Sequence, residues 1–299
     1  MKTLTIFTPT YNREHTLCRV YDSLCHQTST DFEWMVIDDG STDGTKDLIK
    51  KFYDEKKLVI HYIYKENGGL YTGYNVAYEN IQTELCVCID SDDYMPNDSV
   101  EKILRFWRQN GTDKYAGFLG LDYNIVSQEV IGGTFPKNLK EVFFYDLALK
   151  QIHLGDTKPV LRTELMKEVA PQIGFRGEKN FNPVYMMLQV CDKYPILLLN
   201  EILCNVEYQV GADSMSQAIW RQYLNSPRSF AKLRLLEMSL KHNTFRNKMR
   251  VCAHYVSSCI LSKDRLWLYN SSLKALTIFM APFGACFALI VIWKNRYKT

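Results

Sequence analysis

The segment Leu85–Asp93, LCVCIDSDD, is the most informative part of this sequence. Its first five residues are apolar without helical spacing, which is typical of a strand buried in a sheet. A buried strand cannot continue into three carboxylates, so Asp90, Asp92 and Asp93 must emerge at its carboxyl end, where open α/β sheets bind ligands. Carboxylates this close repel one another unless a cation lies among them, and such oxygen ligands suit Mg²⁺ or Mn²⁺. The alternative is a loop whose acids cap the helix after Pro96.

Strands and helices alternate around this stretch through the first hundred residues. Apolar and amphipathic patterns predict strands at 4–8, 34–38 and 58–64 and helices at 14–27, 42–53 and 70–81. The alternation is typical of a mostly parallel sheet with helices on both faces, an α/β/α fold. Because crossovers are right-handed, the segments that follow the strands should share one rim. These segments are 9–13, 38–41, 65–70 and 90–93.

The charge is divided unevenly along the chain. The composition, 46% hydrophobic and 23% charged, is that of a folded globular protein, and the net charge is +3. Residues 216–299 contain 14 Lys/Arg and two acids, whereas the first 215 residues contain 22 Lys/Arg and 31 acids. The acidic part suits a divalent cation, and the basic part suits an anionic surface such as membrane headgroups or nucleic acid.

A second predicted strand also ends in acids. The segment Val36–Asp43, VIDDGSTD, places two aspartates at a strand end, and Gly40 allows a turn. One interpretation is an ordinary cap on the next helix. The other is that one acid accepts hydrogen bonds from a nucleotide base or ribose. Two acidic strand ends in one sheet favour the second interpretation.

Taken together, these segments resemble the family 2 glycosyltransferases of the GT-A fold, a Rossmann-like α/β/α fold. The resemblance is carried, in order, by the segments 8–13 (TPTYNR), 37–43 (IDDGSTD) and 90–93 (DSDD), followed by Pro96. Asn67-Gly68-Gly69 with Ala77 is similar to the family's Asn-x-Gly segment before its third helix. The match covers residues 3–110, and each motif is modest by itself, whereas the ordered set is specific.

The resemblance implies a nucleotide-sugar donor. Pro9, Tyr11 and Arg13 would border the nucleotide, and Asp39 would contact the base, usually uracil. The chain has no Gly-x-Gly-x-x-Gly after its first strand and no Gly-x-x-x-x-Gly-Lys segment, which argues against a dinucleotide dehydrogenase and a P-loop ATPase.

The resemblance also implies a metal ion at the acidic strand end. Asp90 and Asp92 would correspond to the Asp-x-Asp motif that holds Mg²⁺ or Mn²⁺ on the donor diphosphate. A cation at this position neutralises the charge that builds up on the leaving diphosphate, as a Lewis acid does.

An inverting transfer needs a base that deprotonates the acceptor hydroxyl. The family commonly supplies it from a Gly-Glu-Asp motif, for which this chain has Gly177-Glu178-Lys179. This variant resembles a bacterial branch that builds surface polysaccharides, in which a Pro-Glu follows; here Val184 replaces that glutamate. Glu178 is therefore the candidate base. The alternatives are a surface acid paired with a neighbouring cation and a base role for Asp156, which is otherwise a turn residue.

The end of the chain poses a separate question. Residues 275–293 carry no charge and are followed by Lys/Arg residues, but Pro282–Gly284 would weaken a helix there. Three interpretations remain open: a buried or dimerising helix, a peripheral or re-entrant anchor, and a membrane span. The basic residues before this segment favour contact with anionic lipid, although a solvated helix face explains them too.

These patterns combine into one hypothesis. We expect a nucleotide-sugar-binding half (residues 1–110), an acceptor-binding half of the same domain (111–215) and a basic helical tail (216–299). The enzyme would transfer one sugar, with inversion, from a nucleotide sugar (UDP-sugar by expectation) to a glycan or lipid-linked acceptor in surface-polysaccharide biosynthesis. Its partners would include an anionic membrane and no nucleic acid. The alternatives are a nucleotidyltransferase and a non-catalytic membrane-associated binding protein.

The expected location is the cytoplasm, at the inner face of the plasma membrane. The start of the chain lacks the long apolar region of a signal peptide. The nine cysteines have no Cys-x-x-Cys pair, which favours a reducing compartment. The six histidines lack metal-ligand spacing, so we expect no catalytic role for them.

Overall fold

A computed structural model describes residues 2–207 and 219–296 of the chain. The first 110 residues alternate between strand and helix as the sequence predicts. The elements are β1 (Leu4–Thr10), α1 (Leu17–Cys25), β2 (Phe32–Asp38), α2 (Thr45–Glu55), β3 (Ile60–Tyr64), α3 (Leu70–Asn80), β4 (Leu85–Cys88) and α4 (Ser99–Asn110). Their ends differ from the predicted ones by a few residues, because local hydrogen bonds rather than periodicity fix where an element stops.

The next hundred residues are less regular. They form β5 (Gly117–Asn124), β6 (Glu129–Val130), β7 (Glu141–Val142), α5 (Phe144–Leu149), β8 (Thr157–Arg162), α6 (Thr163–Val169), α7 (Val184–Cys191) and β9 (Ile196–Val206). The last strand, β9, is the longest of them, with 11 residues. Its polar residues Asn200 and Glu201 occupy an irregularity at which β9 gains residues relative to β5.

One mixed sheet forms the centre of the domain. Its order is β3-β2-β1-β4-β8-β5-β9-β7, with β6 paired to β5. Strands β1 to β4 are parallel, whereas β8 is antiparallel to both β4 and β5. The predicted mostly parallel α/β/α fold is thus confirmed, and β8 is the strand that reverses direction next to the acidic strand end.

Apolar residues cover both faces of the sheet, as expected for a doubly covered sheet. One buried cluster contains Leu4, Trp34 and Val87 and packs against α1, α2 and α4. The other contains Phe7, Ile37 and Cys86 and packs against α3, α6 and α7. Adjacent residues of β1 and β2 point to opposite faces, and because both faces are covered these two strands are almost uniformly buried.

The tail is helical, as predicted. It consists of α8 (Ile219–Asn225), α9 (Pro227–Ser239), α10 (Phe245–Ser262), α11 (Trp267–Asn270) and α12 (Lys274–Arg296), while the predicted boundary at residues 215–216 lies outside the described part of the chain. Helices α9, α10 and α12 enclose a small core around Cys252, Tyr255 and Met280. A second cluster joins α9 to the domain, because Leu233 and Leu240 pack with Phe181 and Leu188.

Candidate active site

The carboxyl ends of the first strands meet at one rim of the sheet. Strands β2 and β4 both pair with β1, so the two acidic strand ends lie two strand spacings apart, about 10 Å. The amide of Ile89 donates to the Phe7 carbonyl (3.0 Å), which extends this pairing to the start of the aspartate run. The structure therefore brings the predicted rim segments together.

The loop after β1 is held against the loop after β2. The amide of Asn12 donates to Ser41 Oγ (2.9 Å), and the Asn12 side-chain oxygen accepts from the Thr42 amide (2.8 Å). Asn12 has a positive φ of 52°, which an asparagine tolerates. These contacts fix the backbone that carries the predicted nucleotide-binding residues.

The three residues expected to border the nucleotide differ in exposure. Pro9 is buried at the end of β1, Arg13 is half-buried, and Tyr11 is 48% exposed. An exposed aromatic ring on a rigid loop next to a ligand cleft is available to stack on a planar base. The roles of Pro9, Tyr11 and Arg13 remain predictions.

Asp38 and Asp39 both serve the local structure. Asp38 is fully buried, and its carboxylate accepts from the Ser41 amide (2.7 Å) and the Tyr62 hydroxyl (2.7 Å). The Asp39 carboxylate accepts from the amides of Gly68 (2.9 Å) and Gly69 (2.8 Å) and pairs with Lys65. Asp39 thereby holds the loop before α3 against the end of β2.

Asp90 and Asp92 stand on the other side of β1 with few partners of their own. Asp90 keeps an exposed face, and Asp92 is half-buried. The backbone turns back after them, since the Asp93 amide donates to the Asp90 carbonyl (3.1 Å). In the antiparallel register Val87 pairs with Val160, so the start of β8, with Asp156 just before it, lies beside Asp90.

A buried lysine lies beneath these aspartates, and sequence reasoning missed it. The ammonium of Lys158 on β8 is 3.8 Å from Oδ2 of Asp93 and 3.8 Å from Oδ1 of Asp122 on β5. All three side chains are less than a tenth exposed. The available signal was a lysine directly before the apolar run Pro159–Leu161, since a lysine is rarely buried without an acidic partner.

The charges of this cluster perturb one another. Burial and the neighbouring carboxylates raise the pKa of Asp93 to about 7 and that of Asp122 to about 6, although Lys158 acts in the opposite direction. Burial disfavours the ammonium of Lys158, but the surrounding acids outweigh it and hold the pKa of Lys158 well above its usual range. The rim thus contains more carboxylates than one lysine can balance.

Asp90 is affected by the same crowding. Burial raises its pKa, Lys158 lowers it, and the nearby carboxylates of Asp92 and Asp156 raise it further. Among the described residues no three metal-ligating side chains form a complete cage. The carboxylates of Asp90 and Asp92 are nevertheless accessible, and the negative charge around them exceeds the positive charge. Such a pair fits a Mg²⁺ or Mn²⁺ ion that would complete its coordination with substrate oxygens and water.

Glu178 lies on the loop between α6 and α7, which contacts the start of α9 in the tail. Its side chain is 7% exposed, and its carboxylate accepts from the backbone amides of Arg228 (3.1 Å) and Ser229 (2.7 Å) at the start of α9. The next residue, Lys179, donates to Asn67 Oδ1 and places its carbonyl against Gly69. The loop therefore contacts both the N-terminus of α9 and the turn at residues 67–69 that Asp39 holds.

Comparison with known proteins identifies the class of this arrangement. Residues 5–126 match the family model described as Glycosyl transferase family 2. The chain is 28% identical over 222 residues to TuaG of Bacillus subtilis (strain 168), whose name assigns it to teichuronic acid biosynthesis as a glycosyltransferase. That match covers 73% of this chain and 83% of TuaG.

Solved structures agree on the fold. Residues 1–349 of TarS from S. aureus align with a TM-score of 0.65 at 18% identity, over 100% of this chain and 92% of that chain. The TarS complex with UDP-GlcNAc gives 0.63 at 20% identity, with 100% and 93% covered. The mannosyltransferase PcManGT from Pyrobaculum calidifontis, in complex with GDP-Man and Mn²⁺, gives 0.54 at 15% identity, with 96% and 86% covered.

Residues 5–126 carry the family 2 glycosyltransferase match, the fold is the GT-A fold of TarS, and the protein is a glycosyltransferase. This result confirms the family and the enzyme class that the sequence predicted, and it decides against the nucleotidyltransferase and the non-catalytic binding protein. Its curated relative TuaG is named for the synthesis of a bacterial surface polysaccharide.

Proposed function

We propose that this enzyme transfers a single sugar, with inversion, from a UDP-sugar to a glycan or lipid-linked acceptor during cell-surface polysaccharide biosynthesis. The observation that carries the proposal is the position of Asp90 and Asp92 at the carboxyl end of β4, one strand away from the loop that contains Tyr11. UDP-GlcNAc bound to the structural neighbour TarS supports a uridine donor.

Asp90 and Asp92 would hold the Mg²⁺ or Mn²⁺ ion. Their accessible carboxylates face the excess negative charge of the rim, and the Mn²⁺ in the structure of PcManGT supports metal use by this fold. When bound, the cation supplies Lewis-acid stabilisation of the departing diphosphate. The buried Lys158 offsets part of the same negative charge from below and keeps Asp93 and Asp122 in place.

The nucleotide would lie between the loop 9–13 and the turn 67–69. Tyr11 offers a ring for stacking on uracil, Arg13 offers charge near the phosphates, and Pro9 stiffens the floor beneath them. Asp39 would contact the base, and its existing bonds to Gly68 and Gly69 orient the carboxylate for that contact.

The transfer requires removal of the acceptor hydroxyl proton and replacement of the bond between the sugar and the diphosphate by a bond between the sugar and the acceptor. A carboxylate takes the proton of the acceptor hydroxyl, the acceptor oxygen bonds to the anomeric carbon from the opposite face, and the bond to the diphosphate oxygen breaks, which releases UDP. Glu178 is the proposed base; it must exchange one amide hydrogen bond at α9 for the acceptor hydroxyl. Asp156 is the alternative, because it is exposed and lies beside Asp90.

A lipid-linked acceptor would bring the enzyme to a membrane. We propose that it works in the cytoplasm at the inner face of the plasma membrane, where a lipid-linked glycan would be accessible. Within the described part of the chain, α12 is the one helix long and apolar enough to cross a bilayer, with a mean hydropathy of 2.4. Its flanking Lys294 and Arg296 support contact with anionic headgroups.

A thermal-shift series tests the donor and the metal together. UDP-sugars with Mn²⁺ should raise Tm, whereas GDP-sugars with Mn²⁺ or UDP-sugars with EDTA should not, because only bound ligand stabilises the native state. Product analysis then follows: free UDP and an inverted anomeric linkage are expected. Absence of any Mn²⁺-dependent shift with every UDP-sugar would overturn the donor and metal assignments.

The base is tested with Glu178→Gln and Asp156→Asn. The variant that removes the base should lower kcat by about 100-fold or more and lose the acidic limb of the pH–rate profile, with donor KM little changed. A loss of kcat with an unchanged pH profile in both variants would exclude both carboxylates from this role.

A further inference from the structure

Helix α12 presents a continuous apolar surface to solvent. Its large exposed side chains recur at helical spacing on one side, about 22 Å from the first to the last at 1.5 Å per residue. This outer face consists of Ile278, Phe279, Phe283, Leu289, Ile290 and Trp293, each 45–66% exposed. Six large apolar side chains in one stripe form a patch of a kind that soluble monomers rarely expose without a partner.

The opposite side of α12 is already occupied by protein. Its buried residues are mostly small, and they pack against α10. A side chain at Gly284 would meet Val256 and the Ala253 carbonyl within 2.7 Å, so the two helices touch at that glycine. Farther along, the Phe287 ring lies 4.5 Å from His254 and 5.6 Å from Tyr223, measured between ring centroids.

This packing argues against a membrane span. While α12 remains on α10, crossing a bilayer would carry Arg246, Lys248 and Arg250 of α10 towards the hydrocarbon region, at a cost of several kcal/mol per charge. Only 28% of the most apolar 18-residue segment of α12 is buried, so α12 is not a helix of the protein core either. A helix that packs on protein with one side and exposes an apolar side is typical of a helix that lies in the membrane–water interface.

The charges around the outer face indicate which partner binds it. Between residues 219 and 296 there are 13 Lys/Arg and two acids, and one of these acids, Glu237, pairs with Arg234. Lys263, Arg265 and Lys274 flank the start of α12, and Lys294 lies beside the Trp293 ring at its end. A second copy on this face would juxtapose two strongly basic surfaces, whereas anionic lipid complements them.

We propose that the outer face of α12 docks in the plane of an anionic bilayer, with its apolar side chains at the headgroup–acyl boundary and its basic neighbours on the headgroups. Trp293 and the exposed Tyr269 suit that boundary, because one part of each ring is apolar and the other polar. The inference rests on the proposed function in one respect: docking would give the enzyme access to a lipid-linked acceptor. The binding of the helix to lipid does not depend on catalysis.

Vesicle flotation of the full chain tests the surface. Binding to vesicles of phosphatidylcholine with 30% phosphatidylglycerol is expected, and Phe279→Ser/Phe283→Ser/Leu289→Ser should reduce it roughly 10- to 100-fold. A matched control is Tyr53→Ser/Val59→Ser/Val126→Ser, which removes three exposed apolar side chains elsewhere and should bind as the unmodified protein does. Circular dichroism and Tm confirm that both triple variants are folded.

Depth measurements separate the possible occupants. Spin labels at 278, 286 and 293 in a background without other cysteines should report one shared depth, because the helix lies parallel to the surface; a graded depth would mean a span and overturn the proposal. Equal binding of both triple variants, or lipid-free dimers that the α12 substitutions dissociate, would also overturn it. Donor hydrolysis in detergent should match in all variants, so a failed donor assignment remains distinguishable from a failed docking surface.

Discussion

Two strands of this sheet end in paired aspartates, and the two ends are built differently. At the end of β2, backbone amides, a tyrosine hydroxyl and a lysine bind the carboxylates of Asp38 and Asp39. At the end of β4, Asp90 and Asp92 face further carboxylates, with the shared Lys158 below. Similar sequences therefore give one end whose charge is satisfied by the protein and one that retains negative charge for a cation. The difference supports the proposal that the first end is mainly structural and that the second binds the ion.

The largest effect is expected from Asp92→Ala. It should lower UDP-sugar turnover by about 1,000-fold or more, because a metal ligand is lost, while leaving Tm unchanged or slightly higher because a repulsive charge is removed. UDP release and thermal unfolding measure the two quantities. Asp54→Asn, on the exposed side of α2, is the matched control and should change neither. Turnover within tenfold of the unmodified enzyme would refute the metal role of Asp92.

Lys158→Met should come next, as a loss of stability. The substitution leaves Asp93 and Asp122 buried without their shared cation, which we expect to cost about 3–5 kcal/mol in the free energy of unfolding. Chemical denaturation measures it. Adding Asp122→Asn should restore part of the loss, because one unpaired charge disappears. A Lys158→Met protein as stable as the original would mean that the cluster is neutralised in another way.

Asp39→Asn should lower the free energy of unfolding by about 1–3 kcal/mol, because an amide oxygen replaces a carboxylate that accepts from Gly68 and Gly69 and pairs with Lys65. Denaturation of this variant beside Asp92→Ala compares the two strand ends directly. Donor KM should rise as the turn loosens. If Asp39→Asn were neutral in stability and Asp92→Ala destabilising, the assignment of the two ends would be reversed.

The smallest effect is expected in the tail, from the half-buried imidazole of His254. Burial, with Arg234 of α9 and Arg250 of α10, lowers the pKa of His254 from 6.5 to about 4; the Tyr223 hydroxyl and the Phe287 ring also face it. As the pH falls, His254 binds a proton in the unfolded chain at a higher pH than in the folded protein. The free energy of unfolding is therefore highest above pH 6.5 and falls as the pH drops towards 4.

The loss should be about 1 kcal/mol at pH 5.5, and His254→Gln should remove that part of the pH dependence. Urea unfolding at pH 7.5 and pH 5.5 checks it. Asp93 and Asp122, whose pKa values are raised, contribute with the opposite sign, so His254→Gln must be compared with the unmodified protein at each pH. Equal pH dependence in both proteins would contradict the assignment.

The sequence predicted most of the fold because the first hundred residues obey simple periodicities. The run of residues 85–89 is apolar, and the acids after it must leave the sheet, so both the strand and its functional end follow from local pattern. The reversed strand β8 did not follow, because nothing local states that Thr157–Arg162 lies between β4 and β5. Lys158, which that strand places under the aspartates, was consequently missed.

The tail shows the same limit at longer range. Charge counts and hydropathy indicated basic helices and an apolar segment, and the structure contains them. Which side of α12 is covered depends on its contact with α10 at Gly284, a tertiary fact that hydropathy does not encode. The position of Glu178 is also tertiary, since its hydrogen-bond partners lie some 50 residues later in the chain.

The Glu178 loop has a practical consequence for shortened versions of this enzyme. A protein truncated before residue 219 would lose the α9 amides that bind the Glu178 carboxylate, and it would uncover Phe181 and Leu188. Through Lys179, the damage would spread to the Asn67 turn, which borders the proposed donor site. Removal of the tail to improve solubility should therefore weaken nucleotide binding as well as lipid binding, so expression trials ought to preserve α9 even where α12 is trimmed.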